Sequence, residues 1–279
     1  MIVYGGFSHR RAENGCMVTE CDALARACGF VHAFSTRVGG VSDGPYASMN
    51  LTVSSGDHPE RVQENFSRLI AALPKSPATV CHTHQVHRDR ILTVTAANAA
   101  DFSAEPPECD GLATCEPDHL LVGKFADCVP ILLADRRLGA CAVVHAGWRG
   151  TAMRIAETGV RAMQTAFGSI PADLIAAIGP AIGPCCFLTH NDVTDALFAS
   201  CGELAAAHIT PAADGRSHVD LKRINAALLA QTGVDEIYVC PDCTCCLDKL
   251  YHSHRRTGPV RGSMVAMIAL TDEFHQRTK

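Results

Sequence analysis

The stretch Gly139-Ala140-Cys141-Ala142-Val143-Val144-His145-Ala146-Gly147-Trp148-Arg149-Gly150 reads as a β-strand that passes into a helix through one short turn. Its first half is continuously apolar, the pattern of a strand covered on both faces. The apolar run stops at a histidine. The turn that follows is bracketed by Gly147 and Gly150 and holds the chain's only tryptophan, Trp148. A histidine closing a buried strand, ahead of a turn into a helix, stands where α/β proteins place their chemistry. A similar break precedes it. In Phe125-Ala126-Asp127-Cys128-Val129-Pro130 a cysteine separates two apolar runs. Cys128 and His145 are therefore expected to meet, with a third ligand from the histidine-rich segment 82–87.

Outward from this stretch, strands are predicted at about 119–126 and 129–134, and a helix from about Thr151 to Phe167. Ala152, Ile155, Ala156, Met163 and Phe167 share the buried face of that helix, and Gly168 ends it. Leu174-Ile175-Ala176-Ala177-Ile178 reads as a buried strand, with a rigid Gly/Pro turn beyond it. Helices follow at 190–201 and 220–232, the second capped by Asp220, then strands at 236–240 and 264–270. On the N-terminal side, 31–36 and 78–81 read as strands. Asp57-His58-Pro59 opens a helix whose Val62, Phe66, Leu69, Ile70 and Leu73 fall on one face. Residues 1–30 are weakly patterned and 99–119 read as loop. With no linker and no repeat, a single domain of mixed α/β character over residues 1–279 is expected.

Composition bounds the function. The chain has 279 residues, 47 % hydrophobic and 19 % charged, the balance of a globular protein. Net charge is −5 and no Lys/Arg run exceeds two residues, which argues against a nucleic-acid footprint. No run approaches the ~18 apolar residues of a membrane span, and Met1 to Gly15 carries no signal-like apolar stretch. Fifteen cysteines, an odd number with adjacent pairs at Cys185-Cys186 and Cys245-Cys246, fit a disulfide framework poorly. Free thiols in a reducing cytoplasm are expected.

His87, Cys128 and His145 form the leading constellation. Thiolate and imidazole suit Zn²⁺, and three protein ligands with an open fourth position define a catalytic zinc site. The bland alternative is a buried thiol beside two hydrogen-bonded histidines. Cys240-x2-Cys243-x2-Cys246 resembles the start of an iron–sulfur run or a structural zinc site, but Leu250 stands where a fourth cysteine is wanted. Buried loop thiols are the preferred reading. The pairs His82-x-His84 and His252-x-His254 would suit copper, but solvent-facing or supporting histidines are the preferred reading. His58-Pro59-Glu60 matches the H-x-E of zinc base deaminases, but the P-C-x-x-C that should follow is absent. Arg37, Arg149, Arg255, Arg256 and Arg261 lie in or beside glycine-containing turns, and arginine forks bind phosphate. Together with a metal site they would build an anion pocket.

Six motifs in order add a family signal. They are Phe34-Ser35-Thr36-Arg37 with the glycine-rich run to Tyr46, Gln85-Val86-His87, Ala126-Asp127-Cys128-Val129-Pro130, Val144-His145-Ala146-Gly147-Trp148-Arg149-Gly150-Thr151, Ile178-Gly179-Pro180-Ala181-Ile182-Gly183-Pro184-Cys185-Cys186 and Ser253-His254-Arg255-Arg256. Together they resemble the laccase-domain family, labelled in turn polyphenol oxidase, peptidoglycan editing factor, and purine nucleoside phosphorylase with adenosine deaminase activity. The resemblance implies an α/β fold with sheets packed together and helices outside. It implies a zinc on His87, Cys128 and His145, and its matches at Cys243-Thr244 and Cys185-Cys186 favour the bland reading of those cysteines over a cluster. Arg88 stands where the family has glycine, and a side chain there is expected to narrow the pocket or change substrate choice. Phe187 and His254 stand where tyrosine is usual.

The implied activity is phosphorolysis of purine nucleosides such as adenosine, inosine and methylthioadenosine, with deamination of adenosine. Nucleoside and phosphate are the expected partners. His87, Cys128, His145 and Asp127 would be the reacting centre, with Asp127 orienting a ligand, relaying a proton or acting as a structural acceptor. Arg37, Arg149, Arg255 and Arg256 would hold phosphate. The rival readings are a cysteine hydrolase acting on wall precursors with Cys128 as nucleophile, a copper-dependent phenol oxidase, and a non-catalytic metal-binding protein.

Overall fold

The computed structural model describes residues 1–274. Its apolar runs become strands covered on both sides, as continuous hydrophobicity requires. A seven-stranded sheet has the order β1 (Ile2–Tyr4), β15 (Glu236–Val239), β11 (Leu174–Ile178), β9 (Val129–Asp135), β10 (Ala140–Ala146), β7 (Gly111–Thr114), β6 (Ile91–Thr93). A six-stranded sheet has the order β2 (Phe7–Arg11), β3 (Met17–Cys21), β4 (Phe30–Ser35), β16 (Met264–Leu270), β8 (His119–Phe125), β5 (Thr79–His82). A small third sheet joins β12 (Leu188–Thr189), β14 (Ser217–Val219) and β13 (Ile209–Pro211). The helices are α1 (Asp22–Arg26), α2 (Pro59–Ala71), α3 (Ala99–Ala104), α4 (Trp148–Ala152), α5 (Ile155–Phe167), α6 (Asn191–Cys201), α7 (Glu203–Ala206), α8 (Leu221–Gln231) and α9 (His254–Thr257).

Strand periodicity divides the core into layers. In β10, Cys141 and Val143 join Phe34, Leu121, Phe125 and Ile268 of the six-stranded sheet, so the two large sheets pack face to face. The alternate residues Ala140, Ala142 and Val144 join Ile155, Val160 and Met163 of α5 and Ile224 and Leu228 of α8. On the outer face of the other sheet, Val122, Val265 and Met267 pack with Leu69 of α2. The result is helices, sheet, sheet, helix: a mixed α/β fold with sheets together and helices outside, as expected. Each fully buried Leu, Ile or Val stabilises this stack by about 1.5–3 kcal/mol. Truncating one, such as Leu132, to alanine costs about 2–5 kcal/mol.

The crossing between the sheets positions the site. β8 belongs to one sheet and β9 to the other, so Ala126-Asp127-Cys128 spans the seam. β9 then pairs antiparallel with β10, with His145 opposite Pro130. That register sets Cys128 beside His145.

Several elements depart from the sequence expectation. Residues 1–30 hold β1, β2, β3 and α1. β2 reads Phe-Ser-His-Arg-Arg and is made a strand by pairing with β3, not by its own pattern. Residues 99–119 contain α3 and β7 rather than loop alone. The helix expected from Thr151 is broken between α4 and α5. Arg154 there takes a left-handed backbone (φ 60°) while its guanidinium binds Glu157, the Ser200 carbonyl and Gln231. The Asp220 cap forms as expected, accepting from the Arg223 N–H at 3.0 Å. Among the described residues, no helix is long and apolar enough to cross a membrane.

Candidate metal centre

Three segments deliver the ligands. His145 lies near the end of β10 and Cys128 directly before β9. His87 comes from the loop after β5 with a left-handed backbone, φ 59°. Such a conformation costs a non-glycine residue about 1–3 kcal/mol and persists only where its surroundings enforce it. Here the enforcer is Asp110, fully buried just before β7. Its carboxylate accepts the backbone N–H groups of Val86 (3.2 Å), His87 (3.0 Å) and Arg88 (2.8 Å). It also accepts Nδ1–H of His145 at 2.9 Å. Burial works against ionisation of Asp110, but these donors hold its pKa below the usual carboxylate range.

The Asp110 bond fixes the His145 tautomer and leaves Nε2 for the Cys128 side. The His87 and His145 rings meet edge to face at 4.9 Å, and His87 Nε2 lies 4.0 Å from Cys128 Sγ. Burial opposes ionisation of the Cys128 thiol, yet His145 and His87 bring it down to about 6. Burial likewise disfavours the His145 cation, yet Cys128 and Asp110 push it up to about 9. Each partner thus favours the charged form of the other, a thiolate beside an imidazolium.

One ligand atom from each of His87, Cys128 and His145 lies within 4.8 Å of the other two. A zinc-class ion with arms of about 2.0–2.3 Å suits that triangle. The carboxylate behind His145 is the usual support of a metal-bound imidazole. Gly147 shares the same crowding: a Cβ there would stand 3.1 Å from both Cys128 Sγ and His87 Cδ2, so these side chains would have to shift by a few tenths of an ångström.

Two cavities border the triangle and share His87, Ala126, Cys128 and Arg261. One, of about 330 Å³, is lined by polar groups including Thr52, Ser54, His84, Gln85 and Lys124. The other, of about 480 Å³, is lined by Trp148, Phe187, Ile182 and Leu221, with Arg149, Arg255 and His254 at its wall.

The residues expected at the site divide. Asp127 is held with φ 94° next to Cys128. Its carboxylate accepts Thr244 Oγ1 (2.6 Å), Ser253 Oγ (3.0 Å) and the Arg255 N–H (2.6 Å). These bonds fit the structural acceptor among its expected roles, anchoring the ligand beside it. Arg149 stacks on Trp148 at 4.2 Å and borders the larger cavity. Arg255 borders the same cavity but spends Nη1 on the Cys186 and Leu188 carbonyls. Arg37 and Arg256 line neither cavity. Arg37 donates to the carbonyls of Ala47 and Asp248, and Arg256 to those of Thr244, Cys245 and Tyr251. Both are braces between loops. Arg88 is exposed and lines neither cavity, so it does not narrow them.

Arg261 gains weight instead. It borders both cavities, and its buried Nε lacks a partner. Sequence reasoning missed Asp110 and Lys124. Cys109-Asp110-Gly111 carries the Asp-Gly signal of a turn, which hid a buried carboxylate. Of the histidine pairs, His84 and His254 face the cavities, while His252 is buried and His82 packs edge-on against Phe66. The Cys240-x2-Cys243-x2-Cys246 run is also split. Cys240 is buried away from the others, and Cys243 and Cys246 meet Cys185 and Cys186.

The profile of the multi-copper polyphenol oxidoreductase laccase family matches residues 31–271. The chain is 38 % identical over 254 residues to purine nucleoside phosphorylase YlmD of Geobacillus stearothermophilus, covering 88 % of this chain and 92 % of that one. It is 39 % identical over 240 residues to a purine nucleoside phosphorylase of Deinococcus radiodurans, covering 86 % and 88 %. The crystal structure of the Geobacillus YlmD superposes with a TM-score of 0.83 at 35 % identity, covering 95 % of this chain and 99 % of that one. That of Bacillus licheniformis YfiH superposes at 0.86 and 31 %, covering 94 % and 99 %. By sequence and by fold, the chain belongs to the laccase-type family of polyphenol oxidoreductase-like proteins.

Proposed function

We propose that this protein is a zinc-dependent purine nucleoside phosphorylase of the reducing cytoplasm that also deaminates adenosine. The observation that carries the reading is the His87–Cys128–His145 triangle at the junction of an apolar and a polar cavity. The relatives' names support a nucleoside as substrate. A metal-storing protein would surround its ion, whereas this triangle is bordered by space for reactants.

The chain's own residues divide the work. Trp148, Phe187 and Ile182 offer flat apolar walls for a purine. Arg261 and Lys124 offer positive charge on the polar side, where phosphate would sit beside the ribose. Phosphorolysis forms a bond from a phosphate oxygen to C1′ as the bond from C1′ to the base breaks. Held this way, the reactants meet without a search. The departing base needs a proton, and His254 stands on the purine side as a donor. Asp127 keeps Cys128 aimed, and Asp110 keeps both histidines aimed. A zinc ion on the three ligands would supply Lewis acidity and an acidified water for the deamination.

The test is release of adenine or hypoxanthine from adenosine, inosine and methylthioadenosine by zinc-loaded protein. Turnover should require phosphate, and inosine formation from adenosine should not. Zinc-loaded protein that turns over none of these nucleosides overturns the proposal.

One observation favours a second reading. The Cys128 thiolate beside the His145 imidazolium is the pair a cysteine hydrolase uses. Metal-free protein that is active and is killed by alkylation of Cys128 would select it. A multi-copper oxidase needs further imidazole clusters. Among the described residues, the only other converging group is made of cysteines.

A further inference from the structure

Outside the His87–Cys128–His145 centre, Cys185, Cys186, Cys243 and Cys246 bring four sulfurs within 4.8 Å of one another. Cys246 Sγ stands 3.5 Å from Cys185 Sγ and 3.3 Å from Cys186 Sγ. All four are free thiols. A disulfide would bring two of these sulfurs to about 2.05 Å. Cys243 Sγ accepts the backbone N–H of Gly183 at 3.2 Å, and the N–H groups of Cys245 and Cys246 also point at it. Backbone donors gathered on one sulfur are what a thiolate needs.

The spacing suits one ion. Four sulfurs on arms of about 2.3 Å around a tetrahedral centre lie about 3.8 Å apart. A [4Fe–4S] cluster binds each cysteine through a different iron and a [2Fe–2S] cluster divides them two to an iron, and either spreads the four sulfurs wider. The two segments come from far apart: one is the turn between β11 and β12, the other the stretch after β15. Residues 240–253 between β15 and α9 contain no helix or strand. Lys222, Arg37 and Arg256 hold backbone carbonyls along it. Thr244 N–H donates to the Ala181 carbonyl at 3.1 Å, which sets the two segments side by side but leaves their tips to the cysteines.

We propose that Cys185, Cys186, Cys243 and Cys246 form a second, structural metal site that holds one tetrahedral ion of the zinc class and clasps the 240–253 segment to the 183–186 turn. Thr244 and Phe187 lie next to these ligands. Thr244 braces Asp127, and Phe187 lines the larger cavity. The clasp therefore stands behind one wall of the candidate active site. It requires no particular reaction there.

The test uses the full chain loaded with Zn²⁺, desalted and analysed for metal. Wild type is expected to hold two zinc ions per chain. Cys128→Ser and the double variant Cys185→Ser/Cys246→Ser should each hold one. Co²⁺ bound to Cys128→Ser should show the intense visible bands of tetrahedral thiolate cobalt. Should the double variant not fold, alkylation of the wild type decides. Zn²⁺ should protect Cys185 and Cys246, but not the exposed Cys115, from iodoacetamide. A Cys128→Ser chain that binds no zinc, equal alkylation of Cys185 and Cys246 with and without Zn²⁺, or a disulfide joining Cys246 to Cys185 or Cys186 overturns the proposal. None of these measurements depends on nucleoside turnover.

Discussion

Asp110 accepts Nδ1–H of His145 at 2.9 Å with the same carboxylate that gathers the N–H groups on either side of His87. One buried side chain thus orients two of the three proposed ligands. Asp110→Asn removes the charge and turns a donor toward those N–H groups. Supporting partners of metal ligands are worth about 10–100-fold in affinity. Competition with a chromophoric chelator should show zinc affinity falling by that factor in a folded protein. Wild-type affinity would remove Asp110 from this role.

Gly147 is crowded by the ligands themselves. Its φ of −67° suits alanine, so the backbone does not forbid the change. Gly147→Ala should leave the melting temperature near wild type while zinc affinity drops by about tenfold, because the methyl group displaces a ligand and one ligand distance is worth ~1–2 kcal/mol here. Calorimetric titration reads the affinity, and a thermal scan of the metal-free protein reads the melting temperature.

The proposed phosphate role of Arg261 rests on its unpartnered Nε and its place on the wall shared by the two cavities. Arg261→Gln should raise the KM for phosphate by at least about tenfold with a smaller change in kcat, the signature of lost ground-state binding. Arg256→Gln, which touches only carbonyls, should destabilise the fold without that selective rise.

Protons and the ion compete for Cys128 and His145. Between about 6 and about 9 the thiol is ionised and the imidazole protonated. Zinc uptake in that window must expel one proton from this pair, so affinity should rise about tenfold per pH unit and flatten above about pH 9. Titration in buffers of differing ionisation enthalpy counts the proton. A pH-independent affinity from 6.5 to 8.5 contradicts the assignment.

His32 is buried and accepts the Cys21 N–H at 2.9 Å, and burial pushes its pKa down to about 4. Its unfolded value is about 6.5. Between the two, the unfolded chain binds more protons, so stability is complete above about pH 6.5 and falls as pH drops toward 4. The loss reaches roughly 3 kcal/mol. His252, pushed down to about 3 chiefly by burial, adds to it. Urea midpoints should already fall between pH 6.5 and 5, above the carboxylate range. An unchanged midpoint there refutes the effect.

What the sequence could disclose follows from where information is local. β9, β10, β11 and β16 are continuous apolar runs, and the breaks at Cys128 and His145 stand out against them. The first thirty residues were opaque because β1 is only three residues long and β2 is polar and defined by its partner. Asp110 was opaque because an Asp-Gly pair looks the same in a turn as in a buried loop. The arginines could not be sorted from sequence because donors alone do not say whether carbonyls already occupy them. Arg37 and Arg256 are occupied; Arg261 keeps a free Nε. The cysteine quartet escaped because its halves are some sixty positions apart.

Cys128 lies on the crossing from one large sheet to the other, while His145 belongs to the second sheet and His87 follows an edge strand of the first. No half of the molecule owns the triangle. The three ligands can close around one ion only once both layers have docked, so full coordination at this triangle would mark the last stage of assembly.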